Sequence, residues 1–275
     1  MTADDGHRLH AVVHEGRGPY ALLVHGALGS RSYWADNVGA LAAVCRPVVV
    51  ELWGHGRSPT PTDPDRYGPE SYFAEFERLR ERLAVAHWFT IGQSLGAGLT
   101  LNYGLAHPER VLAQVVTNST SAFASPERWA ENRAAARPGF LDSLRSQGMD
   151  AVRDSPVNPG RSRRISEPTR ALLACEFDEH DPEGVARGME VTGDRLPLGP
   201  RLAEVSRPTL LTVGVQEERF APMVPRARRI PGIEVAELEA SHAVNAHEPA
   251  KWNAVVVDFL RRHGGGGDRA RPEVR

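Results

Sequence analysis

The stretch Gly92-Gln93-Ser94-Leu95-Gly96 holds a serine between two glycines, directly after the apolar run Trp88-Phe89-Thr90-Ile91 and before an Ala/Gly/Leu-rich segment. A serine hydroxyl serves as a nucleophile when it stands at the tip of a tight strand-to-helix turn. There, glycine neighbours let adjacent chain approach, and the following helix presents its positive end. The competing reading is a glycine-rich turn with an idle serine. The strand before and the helix after are the context the nucleophile requires, and they favour the first reading.

Serine needs a base, most often histidine, and the base needs a carboxylate that fixes its tautomer. Of the eleven histidines, His242 lies in "ELEASHAVNAHEPAKWNAVVVDFL", between a strand-like run and the last helical pattern. In a parallel sheet that loop opens on the same edge as Ser94. His7, His10, His14, His87, His107 and His180 read as surface or structural residues, and His247, beside Glu248-Pro249, as a packing or capping residue. The carboxylate is sought in "VGVQEERFAP". Glu217, three residues after Gly214, is preferred, whereas counting back from Pro222 selects Glu218. One of the two is a solvated surface glutamate.

Acyl transfer also needs donors for a developing oxyanion. The loop in "LLVHGALGSRSYW" and the helix start after Ser94 offer the main-chain N–H groups of Ala27 and Leu95, with His25 and Gly26 shaping the loop. The glycine-rich "ELWGHGRSP" has no G-K-[ST] ending, so it reads as a turn lining the pocket and not as a phosphate loop. Metal-ligand spacing such as H-E-x-x-H does not occur, and neither a metal nor another cofactor is expected.

Seven strand-like runs must position these residues: "RLHAVVH", "YALLVHG", "RPVVVELWG", "HWFTIGQ", "VLAQVVTNS", "PTLLTVGV" and "IEVAELEAS". Several are almost continuously apolar, as strands covered on both faces are. Helical patterns around 38–43, 72–86, 96–106, 225–229 and 249–262 alternate with them. The expectation is an α/β fold with a mostly parallel, doubly wound sheet. Between 121 and 200 the alternation stops in favour of short helices broken by Pro and Gly, which reads as an inserted helical cap over the ligand-binding edge. The core then comprises 1–120 and 201–263, and the glycine-rich 264–275 is expected to be a disordered tail.

At 275 residues, 41% hydrophobic and net charge −2, the chain has the size for one such domain and no bulk charge to attract nucleic acid or a membrane surface. A small molecule is the expected partner. Two cysteines, no apolar leader and no run of about 20 apolar residues suggest a cytoplasmic protein. Oligomeric state is not legible.

The motifs "HGALGS", "ELWGHGRSP", "GQSLG", "VGVQEERFAP" and "SHAVNAHEPAKWNAVVVDFL", in this order, resemble the α/β-hydrolase superfamily of cap-bearing esterases and lactonases over residues 7–262. The resemblance implies Ser94, Glu217 and His242 as a catalytic triad in the family's Ser-acid-His order, with the Ala27 and Leu95 N–H groups as oxyanion hole. Three positions depart from common family usage: Glu51 and Glu217 stand where aspartate is usual, and Gln93 where histidine often precedes the serine. The segment "TNSTSAFASPERWAENRAAA…SLRSQGMDAVRDS" is loosely similar to the start of the cap in 3-oxoadipate enol-lactonases, and the rest of the chain to menaquinone-pathway enzymes that use the same triad for elimination. Dehalogenases and epoxide hydrolases carry aspartate where Ser94 stands. The expected activity is hydrolysis of an ester or lactone through an acyl-enzyme, and the alternative is a lyase, cyclase or C–C bond-cleaving enzyme using the Ser-His pair for proton transfer.

Overall fold

The computed structural model describes residues 8–135 and 139–264. Its sheet has seven strands: β1 (Ala11–Val13), β2 (Tyr20–Val24), β3 (Arg46–Val50), β4 (Trp88–Gln93), β5 (Val111–Thr117), β6 (Thr209–Gly214) and β7 (Ile233–Leu238). They lie in the order β1-β3-β2-β4-β5-β6-β7. Only the pairing of β1 with β3 is antiparallel; the other five are parallel. All seven runs read from the sequence are therefore strands, and the expected sheet is the one observed.

Parallel strands buried on both faces need apolar residues at successive positions, and period two sends alternate ones to opposite layers. Ala21 and Leu23 of β2 face one core, Leu22 and Val24 the other. The first layer holds α1 (Ala35–Leu41) and the long terminal helix. The second holds α2 (Pro69–Arg82) and α3 (Leu95–Ala106).

Between β5 and β6 the described chain is helical: α4 (Thr120–Phe123), α5 (Pro126–Ala135), α6 (Phe140–Gln147), α7 (Asp150–Arg153), α8 (Glu167–Phe177) and α9 (Pro182–Arg187). Leu144, Met149, Val152, Phe177 and Val185 form a small core of their own, and Leu28 from the sheet's edge completes it. The chain closes with α10 (Val224–Ala227), α11 (Val244–His247) and α12 (Pro249–His263). From residue 265 the expected tail lies outside the described residues.

The registers decide where function can sit. Val24 pairs with Val50 and Gly92, Gln93 with Thr117, Thr117 with Thr212, and Gly214 with Leu238. The carboxyl ends of six strands are thus level. The loops carrying Ala27, Ser94, Glu217 and His242 all open along this one edge, where open α/β sheets bind ligands.

Candidate active site

Ser94 is the residue between β4 and α3, with φ 53° and ψ −114°. A left-handed φ on a residue with a Cβ costs on the order of 1–3 kcal/mol, and such strain persists only where the surroundings enforce it. Here the Ser94 N–H donates to Thr117 O at 2.9 Å, and its carbonyl accepts from Gly98 N–H at 3.1 Å. The turn is pressed against the β2 loop. A Cβ on Gly96 would lie 2.2 Å from Val24 O, and one on Gly26 would lie 2.9 Å from Ser94 Cβ and 2.2 Å from Gln93 Oε1. The glycines flagged in the sequence thus permit two loops to touch where the serine stands.

Glu217 lies just beyond β6, and its Oε2 is 3.0 Å from His242 Nδ1. The pair is asymmetric: the His242 side chain is 45% exposed and that of Glu217 14%. The hydrogen bond to His242 holds the Glu217 carboxyl below the usual carboxylate range against the opposing effect of burial. An anion on Nδ1 requires the proton there and leaves Nε2 as the free acceptor, the state a general base needs. Glu218, the other candidate, is exposed.

The His242 backbone is fastened from two sides. Asn118, at the end of β5 with φ 37°, donates through Nδ2 to Ser241 O at 3.2 Å and His242 O at 3.3 Å, and accepts from Gly214 N–H at 3.3 Å. Gln93 Nε2 adds a bond to His242 O at 3.4 Å. Gln93 and Asn118 therefore tie the Ser94 turn, the β6 end and the His242 loop together. Asn118 is not among the residues that the sequence motifs single out. Its available signal was an asparagine closing an apolar run, the residue type most tolerant of positive φ.

Ala27 and Leu95 end up on the two facing loops. Neither N–H group has a main-chain acceptor among the described residues. Leu95 opens α3, whose first-turn N–H groups have no intrahelical partner and carry the positive end of the helix dipole. Beneath the Ala27 loop sit three buried imidazoles, His25, His55 and His180. Burial pushes them down to about 3, about 3 and about 4 respectively.

Glu51 is fully buried and gathers loops. It accepts from Arg31 Nη1 at 2.9 Å, Arg31 N–H at 3.2 Å and Arg57 N–H at 2.9 Å, and meets His10 Nδ1 at 3.0 Å. The "ELWGHGRSP" turn is thus built around a carboxylate, which leaves no room there for a phosphate. Among the described residues no group of three His, Cys, Asp or Glu side chains is arranged to hold a metal. No helix among them is long and apolar enough to cross a membrane.

A family model described as the alpha/beta hydrolase fold matches residues 22–148. The (lyso)-N-acylphosphatidylethanolamine lipase of Mus musculus is 37% identical, across 86% of this chain and 78% of the lipase. The chain belongs to the α/β-hydrolase family. This hydrolase is also similar to a putative 2-succinyl-6-hydroxy-2,4-cyclohexadiene-1-carboxylate synthase of Bacillus subtilis, at 25% identity over 94% of the chain and 97% of the relative. Among solved structures, the enol-lactonase of Burkholderia xenovorans superposes with a TM-score of 0.77 at 25% identity, covering 93% of this hydrolase and 97% of the lactonase. The family resemblance read from five short motifs thus holds along nearly the whole chain.

Proposed function

We propose that this α/β-hydrolase cleaves a carboxylic ester or lactone of a small molecule through an acyl-enzyme. His242 takes the Ser94 proton as the hydroxyl attacks the carbonyl carbon, and Glu217 holds the ring and balances its positive charge. The Ala27 and Leu95 N–H groups receive the oxyanion. The protonated His242 then gives its proton to the leaving alkoxide, and water repeats the sequence to free the acid and Ser94. In a lactone the alkoxide stays attached to the acyl group, so one product leaves instead of two. The helices of residues 121–200 act as the cap that selects the substrate, and the reaction takes place in the cytoplasm.

The observation carrying this reading is the 3.0 Å contact between His242 Nδ1 and Glu217 Oε2, on the edge where Ser94 occupies a strained turn. A fluorophosphonate probe tests it: Ser94 is expected to become labelled, and His242→Ala to abolish labelling. An inert Ser94 in the folded wild-type protein would refute an activated nucleophile. The alternative, elimination or ring formation with Ser94 and His242 moving a proton only, is favoured by the synthase name of the Bacillus relative. Turnover of p-nitrophenyl acetate or a simple lactone separates the two, since a proton-transfer enzyme labels without hydrolysing either.

A further inference from the structure

The loop carrying Ala27 is a four-residue turn closed by Gly29 N–H donating to Gly26 O at 3.1 Å. Leu28, in its third position, has φ 61°. Such a position ordinarily takes glycine or asparagine, and leucine keeps it here because both of its main-chain polar groups are gripped. Leu28 N–H donates to His55 Nε2 at 3.3 Å, and Leu28 O lies 3.4 Å from His180 Nε2.

The main chain fixes the protons on both rings. His55 Nε2 accepts, so its proton is on Nδ1, donated to Trp53 O at 2.9 Å. Gly56 N–H donates to His180 Nδ1 at 2.9 Å, so the His180 proton is on Nε2 and points to Leu28 O. The rings stack edge-on, 5.1 Å between centroids. His180 comes from the helical segment between β5 and β6, immediately after α8. Glu176, at the end of that helix, accepts from Ser32 Oγ at 2.6 Å, from Ser32 N–H at 3.2 Å and from Ser30 Oγ.

We propose that His180 is a positioning residue for the oxyanion site: its Nε2–H holds the Leu28 carbonyl and thereby the direction of the neighbouring Ala27 N–H. In a turn closed by one hydrogen bond, rotation of the central peptides redirects the flanking N–H groups, and an oxyanion donor is effective only within a narrow range of positions. The helical segment thus takes part in chemistry performed on the sheet edge. The inference rests on the role proposed above for Ala27.

Three substitutions test it. His180→Ala is expected to lower kcat for p-nitrophenyl acetate about tenfold, with KM changed less than about twofold. His180→Gln, which keeps a donor near the Nε2 position, restores most of kcat. His180→Asn, which keeps only the acceptor for Gly56 N–H, does not. A wild-type kcat in the alanine variant, equal rescue by asparagine and glutamine, or an effect confined to KM overturns the proposal. Hydrogen exchange at the Leu28 amide, followed with selectively labelled leucine, reads the clasp without any turnover. It is expected to quicken in the alanine variant and recover with glutamine, and unchanged exchange in the alanine variant overturns the proposal. A wild-type enzyme that hydrolyses nothing would refute the hydrolase reading alone, leaving the exchange measurement to decide on His180.

Discussion

Two sets of imidazoles lie along one sheet edge and differ in what their ring nitrogens meet. His242 has a carboxylate on Nδ1 and nearly half of its side chain open to solvent. His25, His55 and His180 are sealed, with both nitrogens of each ring engaged by main-chain groups. The first setting suits a base and the second a rigid connector. A free Nε2 backed by an anion can accept a proton, whereas a ring whose acceptor nitrogen is already bonded to an N–H must break that bond to do so.

The sharpest way to break this contrast is to remove the serine that the open ring is proposed to serve. Ser94→Ala is expected to lower kcat/KM for an ester at least about 10³-fold, or about 4 kcal/mol of transition-state stabilisation. Residual activity near the wild-type level would mean that the serine is not the nucleophile. Glu217→Gln, which keeps size but not charge, should cost about 10²- to 10⁴-fold in kcat, whereas Glu218→Gln should leave kinetics within about twofold. Equal effects at the two positions would remove the case for a specific ion pair.

The sealed rings should instead govern acid stability. Their pKa values in the folded protein lie far below 6.5, so below that pH the unfolded chain binds protons that the native state refuses. Their contribution is complete above pH 6.5 and drains away as pH falls toward 4. Each ring costs about 1.4 kcal/mol per pH unit in this window, so three give a slope of about 4 kcal/mol per unit. Guanidinium midpoints measured from pH 7 to pH 5 check this, and His55→Asn is expected to reduce the slope by about one ring's share. A flat profile would show that the rings are solvated. A loss of stability without loss of chemistry is expected at Asn118→Ala, which removes three hydrogen bonds around the His242 loop. About 1–3 kcal/mol of stability should be lost, visible as a lower Tm with the fluorophosphonate reaction at Ser94 retained but slower.

Much of this arrangement is legible in the residue string because it depends on local chemistry. Apolar runs at strand length, glycines around Ser94 and a histidine after the last strand are local signals, and all seven strands and the loops' common edge follow from them. The choice between Glu217 and Glu218 rested on counting, and only the register of β6 and the course of its loop show which one meets His242. The sequence motifs do not single out Asn118, and His180 reads there only as surface or structural, because their partners are 123 and 152 residues away, and a polar residue with distant main-chain partners has no signature in its own neighbourhood. Glu51 looked like a family departure at one position. In three dimensions it is a buried hub, whose longer side chain accepts from three donors of Arg31 and Arg57 and meets His10 Nδ1.

The His242 loop is completed by the last part of the chain. Asn245 is wholly buried beside α1, where Asn37 Nδ2 donates to Asn245 O at 3.0 Å and to Asn253 Oδ1 at 2.9 Å. Trp252 of α12 packs under the sheet with its indole N–H on Thr212 Oγ1 at 3.1 Å. During synthesis the serine turn therefore leaves the ribosome long before the residues that would seat its base. If the proposed triad operates, hydrolysis would therefore have to wait until α12 docks and Asn245 and Trp252 take up these bonds.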